Sequence, residues 1–251
     1  MSYTTLIKEL KAKENLLKAK ILAGFFKTGK GQYGEGDLFL GITVPESRKI
    51  AQKYKDLKFN EIEKILQNKY HEVRLVAILI LVHKYKQAST RQDLVEMKEI
   101  VNFYLKNTKY INNWDLVDLS AHYIIGDYLF NKDSRHNGVN KKILEKLAKS
   151  KNLWERRIAV ISTFAFIYKG QSDWTFRIVK MLLNDSHDLI HKACGWMLRE
   201  VGKRVSENEL IGFLNTHGND MPRTMLRYAI ERLPEEKRKY YLKKTLVKNK
   251  V

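Results

Sequence analysis

The sequence has 251 residues, of which 44% are hydrophobic, so the chain is long enough to bury a substantial core without disulfides or metals. Its 47 Lys and Arg residues against 28 Asp and Glu give a net charge of +19, which favours a polyanionic partner such as nucleic acid. The single cysteine, Cys194, excludes an intramolecular disulfide and indicates a reducing compartment. The alternative explanation of the charge is lysine enrichment in an AT-rich genome.

No targeting or membrane segment is recognisable. The first ten residues, MSYTTLIKEL, are amphipathic and lack the apolar stretch of a signal peptide. The longest uninterrupted apolar run, 75–82, is far shorter than the roughly 20 residues that a membrane helix requires. We therefore expect a cytoplasmic protein without membrane association, and we expect it to be a monomer.

The spacing of apolar residues predicts an all-α protein in a single domain, 1–251. Apolar positions recur every three or four residues, the chain has three prolines, and no segment alternates as a strand would. A first helix, 3–25, precedes a glycine-rich connection, 27–38, that fits no nucleotide-binding motif and is interpreted as flexible. The helices predicted after it are 44–54, 60–68, 71–87, 90–106, 113–130, 139–150, 153–168, 172–184, 187–203, 206–216, 220–233 and 235–247.

Several helix starts have local signals. Thr43 and Glu46 form a capping box with a proline between them, and Asn60 with Glu63 repeats the pattern. Asn113 and Asp185 are good capping residues for the helices that follow them.

A weak internal repeat runs along the helices. Small residues recur at intervals of 44, 38, 34 and 36 residues, which is the range of HEAT-like helix pairs, at Ala77, Ala121, Ala159, Ala193 and Ala229. Basic residues precede most of these alanines, so stacking would align them. We therefore expect a right-handed superhelical solenoid of HEAT-like repeats with a concave basic face that suits duplex DNA. The alternative is a solvated face without a partner.

Trp114 and Asp118 are the strongest candidates for chemistry. They stand at i and i+4, so a helix would place both on one face. A carboxylate beside an aromatic ring suits excision of a cationic base, because the sugar gains oxocarbenium character as the glycosidic bond breaks. The ring attracts the cationic purine or its sugar. The alternative is a core tryptophan beside an acidic residue that complements the helix dipole.

Two more segments place cations near tryptophans. Lys192, Trp196 and Arg199 stand at i, i+4 and i+7, which indicates either a DNA-contacting face or a core tryptophan flanked by cations. In the segment WERR, 154–157, Arg156 and Arg157 either grip a phosphate or form an internal salt bridge. Helical spacing also joins His187, His191 and Cys194, but no fourth ligand is nearby and we expect no metal site.

Four stretches together resemble the AlkD-like DNA alkylation repair family. They appear in the family's order and span most of the chain: FLGITVPESRKIA at 39–51, WDLVD at 114–118, WERRIA at 154–159 and KACGWMLRE at 192–200. Two positions depart from better-known members. Asn113 replaces a second tryptophan, and Phe25 or Phe26 stands near the position of a tyrosine.

The resemblance implies a function and the residues that perform it. It implies a monofunctional glycosylase that excises N3- or N7-alkylated purines from duplex DNA, without a cofactor, a metal or a base-flipping pocket. By the same resemblance, Asp118 is the catalytic carboxylate, Trp114 and Trp196 flank the deoxyribose of the lesion, and Arg157 lies near the DNA backbone. Arg156, Lys192 and Arg199 are the other expected DNA contacts.

Two other functions fit the same pattern. The first is a non-catalytic DNA-binding solenoid, in which the tryptophans would only line the groove. The second is a protein-interaction scaffold, in which the positive charge would reflect genome composition alone. Helical repeats serve all three functions, so fold does not decide among them.

Overall fold

A computed structural model describes residues 2–135 and 142–248 of the chain. This part is all-helical, as predicted, and its extended backbone is limited to one isolated parallel bridge between Leu38 and Tyr70. None of its helices is long and apolar enough to cross a membrane. The chain divides into two compact units, Met1–Ile124 and Ile125–Val251.

The first unit is built around one long buried helix. Its helices are α1 (Tyr3–Lys11), α2 (Leu16–Phe25), α3 (Val44–Lys53), α4 (Phe59–Leu66), α5 (His71–Thr90), α6 (Leu94–Lys106) and α7 (Trp114–Asp118), with a 3-10 turn at Thr108–Tyr110. Helix α5 packs against α3, α4, α6 and α7, and its residues 71–82 are all buried. Its uninterrupted apolar run is therefore core, as burial on every face requires.

The second unit has a similar arrangement around α13. Its helices are α8 (Asp127–Arg135), α9 (Lys142–Ala148), α10 (Leu153–Ser162), α11 (Phe164–Tyr168), α12 (Asp173–Met181), α13 (Asp188–Arg204), α14 (Glu207–His217), α15 (Arg223–Ala229) and α16 (Glu235–Lys248). Helix α13 packs against α10, α11, α12, α14 and α15. Gly195 permits the closest of these approaches, because a Cβ there would lie 2.4 Å from the Met225 carbonyl oxygen.

The alanines of the internal repeat behave as close-packing positions. Their relative exposure is zero at all five positions, namely Ala77, Ala121, Ala159, Ala193 and Ala229. The basic residues before them do not form one exposed row, because Arg74 and Arg157 are buried inside their own units. The handedness of the solenoid and its basic concave face remain predictions.

Three predicted helices are each divided. The predicted helix 3–25 is interrupted where Asn15 caps α2 through Lys18 N and also donates its backbone N–H to Leu40 O. The predicted helix 153–168 breaks at Thr163, whose hydroxyl donates to the Val160 carbonyl oxygen. The predicted helix 113–130 contains one π-helical turn, His122–Gly126, between α7 and α8. The predicted start of the helix 139–150 lies outside the described residues.

Two of four predicted caps are confirmed, and the Asp185 prediction is wrong because His187 occupies the N-cap position of α13. Thr43 and Glu46 form the capping box of α3, and Asn113 caps α7. The Asn60 prediction is wrong, because α4 begins one residue earlier and Lys58 occupies its N-cap position.

Candidate active site

The short helix α7 presents the two residues singled out by the sequence. Trp114 is its first residue and Asp118 its last, so both lie on one face, and both are half-buried. Asn113, which is fully buried, accepts a hydrogen bond from Trp114 N at 2.8 Å. Its side-chain amide also donates to Asp37 Oδ2 at 3.1 Å. Asn113 therefore fixes the start of α7.

A buried charge network lies beneath α7. His71 donates through Nδ1 to Asp37 Oδ2 at 3.2 Å and through Nε2 to Asp115 Oδ2 at 2.8 Å. Arg74 Nη2 donates to Asp37 Oδ1 at 2.5 Å. Asp37 thus accepts from three side chains, those of His71, Arg74 and Asn113, and it is the last polar residue of the glycine-rich connection. That connection is consequently anchored at its end, whereas the flexibility of the rest of it remains a prediction.

The network holds His71 in its charged form. Burial alone would lower the pKa of His71, but the charge and hydrogen bond of Asp115, together with the hydrogen bond of Asp37, raise it to about 9. Burial would raise the pKa of Asp37, and the hydrogen bond from His71 with the charge of Arg74 brings it below its ordinary value. Two carboxylates therefore face one imidazolium and one guanidinium, and their formal charges cancel.

Glu72 fixes the segment 40–42, which follows the glycine-rich connection. Its Oε1 accepts from Gly41 N at 2.8 Å and Ile42 N at 3.2 Å, and its Oε2 accepts from Leu40 N at 2.9 Å. Gly41 has φ +79, and a Cβ there would lie 2.2 Å from Asn15 O. These three backbone N–H groups belong to no helix or strand, and the buried Glu72 carboxylate gives each of them a hydrogen-bond acceptor.

An aromatic surface adjoins the network. Trp114 stacks on Phe26 with ring centroids 5.4 Å apart, and Phe26 lies 4.7 Å from His71. Phe25 meets the edge of Trp114 at 6.0 Å and is 61% exposed. Trp114 therefore packs on the buried Phe26 on one side and contacts the exposed Phe25 on the other. A tryptophan with a purely structural role would not need the contact with an exposed ring.

The surroundings of Asp118 are defined by the π-helical turn that follows it. The His122 ring makes a hydrogen bond to the Asp118 backbone carbonyl. Burial, followed by the charge of Lys86, lowers the pKa of His122 to about 4, so this ring is neutral at pH 7. Burial and the charge of Asp118 both raise the pKa of Tyr104, whose hydroxyl bonds to Ser120 Oγ. Asp118 is therefore placed next to neutral, uncharged groups on this side.

The second unit carries Trp196 on α13. The ring is half-buried and lies 5.9 Å from Phe164. Lys192 pairs with Asp188 at 2.7 Å, one turn before it in the helix. Arg199 forms ion pairs with Glu231 and with Glu200, the second at 3.4 Å. The cations on either side of Trp196 both have carboxylate partners.

Arg156 and Arg157 also have internal partners. Arg156 pairs with Asp185 at 2.6 Å and donates to the Ser150 carbonyl oxygen at 3.1 Å. Arg157 is 5% exposed and donates to the Leu189 carbonyl oxygen at 2.6 Å. The ion pair of Arg156 agrees with the salt-bridge interpretation, and Arg157 binds a backbone carbonyl at the start of α13. The role of these arginines in DNA binding remains a prediction.

A family model for DNA alkylation repair enzymes matches residues 6–233, which include all four of the stretches described above. The chain belongs to the DNA alkylation repair enzyme family. This DNA alkylation repair protein is similar in structure to a protein from Enterococcus faecalis described as a predicted DNA alkylation repair enzyme. The two share 17% identity with a TM-score of 0.67, over 89% of this chain and 98% of the other. At that identity the likeness shows a shared fold. Curated proteins gave no match.

The sequence of this DNA alkylation repair protein does not predict its buried charge network. Sequence patterns place His71 in a cap or in the core, and Asp37 in a loop. The signal that could have revealed the network is the occurrence of His71, Glu72 and Arg74 at the start of a helix that is otherwise apolar, because charges buried there require partners. The histidines near Cys194 bind protein groups, since His187 accepts from Leu189 N and His191 bonds to Asp185 O.

The stability of the DNA alkylation repair protein should decrease above neutral pH because of His71. Its pKa is higher in the folded chain than in the unfolded one, so its contribution is complete below pH 6.5 and is lost as pH rises through about 9. The shift corresponds to about 3 kcal/mol. Denaturant unfolding between pH 6.5 and 9 should show this decline and should lose most of it in His71→Gln. A free energy of unfolding that stays constant over this interval would contradict the assignment of a charged His71.

Proposed function

We propose that this protein is a DNA glycosylase that excises N3- or N7-alkylated purines from duplex DNA. Membership of the DNA alkylation repair enzyme family supports a role in DNA repair. The observation that carries the finer proposal is the pairing of Trp114 and Asp118 on one half-buried face of α7, over a network that fixes the helix.

The proposed chemistry is hydrolysis of one bond. The C1′–N bond breaks and its electron pair leaves with the alkylated purine, which carried a positive charge and departs neutral, so no acid is needed. The sugar becomes an oxocarbenium ion, and the Asp118 carboxylate stabilises it. Water then adds to C1′ and loses a proton. Because the alkylated base is already positively charged, the main requirement for catalysis is the carboxylate that stabilises the sugar cation. The proposal includes no metal or cofactor.

Trp114 has a positioning role in this proposal. Its ring, stacked on Phe26 and edged by Phe25, offers a flat surface to the deoxyribose or the cationic base beside Asp118. Trp196 on the second unit is proposed to contribute a further aromatic surface, with Lys192, Arg199, Arg156 and Arg157 as candidate backbone contacts. Their present carboxylate and carbonyl partners imply that phosphates would have to share or replace those contacts.

Affinity for duplex DNA should depend steeply on salt. The chain carries a net charge of +19, and each phosphate that it neutralises releases counterions, so the logarithm of the binding constant should fall by about 0.9 per neutralised phosphate for each tenfold rise in salt. Titration of a fluorescent duplex at several salt concentrations measures this slope. An affinity independent of salt would favour a scaffold whose charge has no nucleic-acid partner.

The activity itself is tested with randomly methylated duplex DNA. Release of 7-methylguanine and 3-methyladenine as free bases, with O6-methylguanine retained, is the expected result, because only the first two leave from a cationic purine. Tight binding to the duplex without release of any base would instead favour the non-catalytic DNA-binding solenoid.

A further inference from the structure

Four basic or titratable side chains influence one another's charge where α3 packs on α5, and none has an ion-pair partner among the residues that the structure describes. They are Arg48 on α3, Lys55 just after α3, and His83 and Lys86 on α5, and we call them the α3–α5 basic cluster. Arg48 and Lys86 are exposed, and the other two are half-buried. Lys55 lies in the turn that ends α3, and His83 and Lys86 stand three residues apart on one face of α5. Helices α3 and α5 pack against each other.

The cluster borders the turn that follows Asp118. Lys86 Nζ lies 4.0 Å from the centre of the Tyr123 ring, and that ring lies 3.9 Å from His122. The His122 ring in turn makes a hydrogen bond to the backbone carbonyl of Asp118. A chain of contacts therefore joins the backbone of Asp118 to the basic cluster, all within the first unit.

The electrostatics of the cluster are those of like charges without a counterion. Burial first, and then Lys86, Arg48 and Lys55, lower the pKa of His83. Burial and Arg48 lower the pKa of Lys86. Among the described residues packed around α5, no carboxylate acts on either group. The arginines that the sequence singled out differ, because Arg156 and Arg199 have carboxylate partners.

We propose that the α3–α5 basic cluster is a phosphate-binding site that takes a backbone phosphodiester of the DNA, close to the nucleotide that Asp118 acts on. One anion placed among these side chains would relieve their mutual repulsion and give each a charged hydrogen-bond partner. The identity of the anion as DNA rests on the proposed function, whereas the site itself rests on the cluster. Tyr123 holds Lys86 in place by a cation–π contact.

The site should couple DNA binding to pH. In the free protein, burial and then the charges of Lys86, Arg48 and Lys55 lower the pKa of His83 and favour its neutral form. A bound phosphate adds negative charge beside the ring, favours its protonated form and raises its pKa. Binding therefore takes up a proton, and affinity should increase as pH falls from 7.5 towards 6, through His83.

The test measures duplex affinity against salt for the wild type and for Arg48→Gln/Lys86→Gln. If the site is lost, the slope of log Kd against log salt should decrease by about 1 for each phosphate that the variant no longer neutralises. The decrease should be the same for every DNA sequence. The matched control is Lys84→Gln on the same helix, two residues and about 200° from Lys86, which should leave the slope unchanged. A slope in the double variant equal to that of the wild type would overturn the site and leave the glycosylase proposal standing.

A second measurement follows the His83 ring by NMR. Added duplex should raise its pKa in the wild type, and His83→Gln should remove the pH dependence of affinity between 6 and 7.5. A response to inorganic phosphate but none to duplex would overturn DNA as the ligand. If the protein binds duplex through the cluster but releases no methylated base, the site holds and the proposed enzymatic activity fails, so the two failures are distinguishable.

Discussion

Replacing Asp118 by asparagine is expected to slow base excision by about 10²–10³-fold, or ~3–4 kcal/mol, while duplex affinity stays near that of the wild type. The amide keeps the shape of the side chain but removes the charge proposed to stabilise the oxocarbenium ion. Both substrates are already cationic, so the loss falls at the lower end of this range for the one that needs less help; it should be larger for 7-methylguanine, whose glycosidic bond is the more stable, than for 3-methyladenine. Single-turnover release from duplex DNA measures both rates.

The control for Asp118 must be chosen from the structure. Asp115 is the neighbouring aspartate and its position on the helix predicts an inert residue, but it is 7% exposed and bonds to His71 Nε2, so its replacement disturbs the buried network. Asp173, an exposed residue in the first turn of α12, is the better choice. Asp173→Asn should excise at the wild-type rate. Equal rates for Asp118→Asn and the wild type would remove Asp118 from the mechanism.

Replacing Asp37 by alanine should be the most destabilising of the substitutions considered. Asp37 accepts from His71, Arg74 and Asn113, and all four side chains are buried. Without it, the Arg74 guanidinium loses its carboxylate and α7 loses the anchor at its start. Removing one partner of a buried ion pair typically costs about 3–5 kcal/mol. Denaturant unfolding at pH 7 measures the difference.

Two companion variants make the Asp37 result interpretable. Asp37→Asn keeps acceptor capacity and should lose less stability than alanine. Asp56→Ala removes an exposed aspartate of the same unit and should change the free energy of unfolding by less than about 0.5 kcal/mol. A loss below about 1 kcal/mol for Asp37→Ala would show that the network does not hold this region together.

The sequence predicted what depends on local pattern. Apolar spacing predicted the helices, the repeat identified alanines that are fully buried, and the spacing of Trp114 and Asp118 placed both on one helix face. It did not predict the network, because Asp37 and Asp115 lie 34 and 44 residues from His71 and only the fold brings them together.

The cations show a second limit. Arg156 and Arg199 were predicted to contact DNA because each lies near a tryptophan in the sequence. In the structure, Arg156 pairs with Asp185, 29 residues away, and Arg199 pairs with Glu231, 32 residues away. The α3–α5 basic cluster instead combines cations from two different helices. Which cations are available to phosphate depends on where the acidic residues fold, and helical spacing carries no such information.

The central claim is that this DNA alkylation repair protein breaks a glycosidic bond, and a defined substrate tests it most directly. A duplex oligonucleotide with a single 7-methylguanine is incubated with excess protein, and both free base and abasic sites are counted. We expect one free 7-methylguanine for each abasic site, with the strand left intact. Binding of the duplex with neither product formed would contradict the claim.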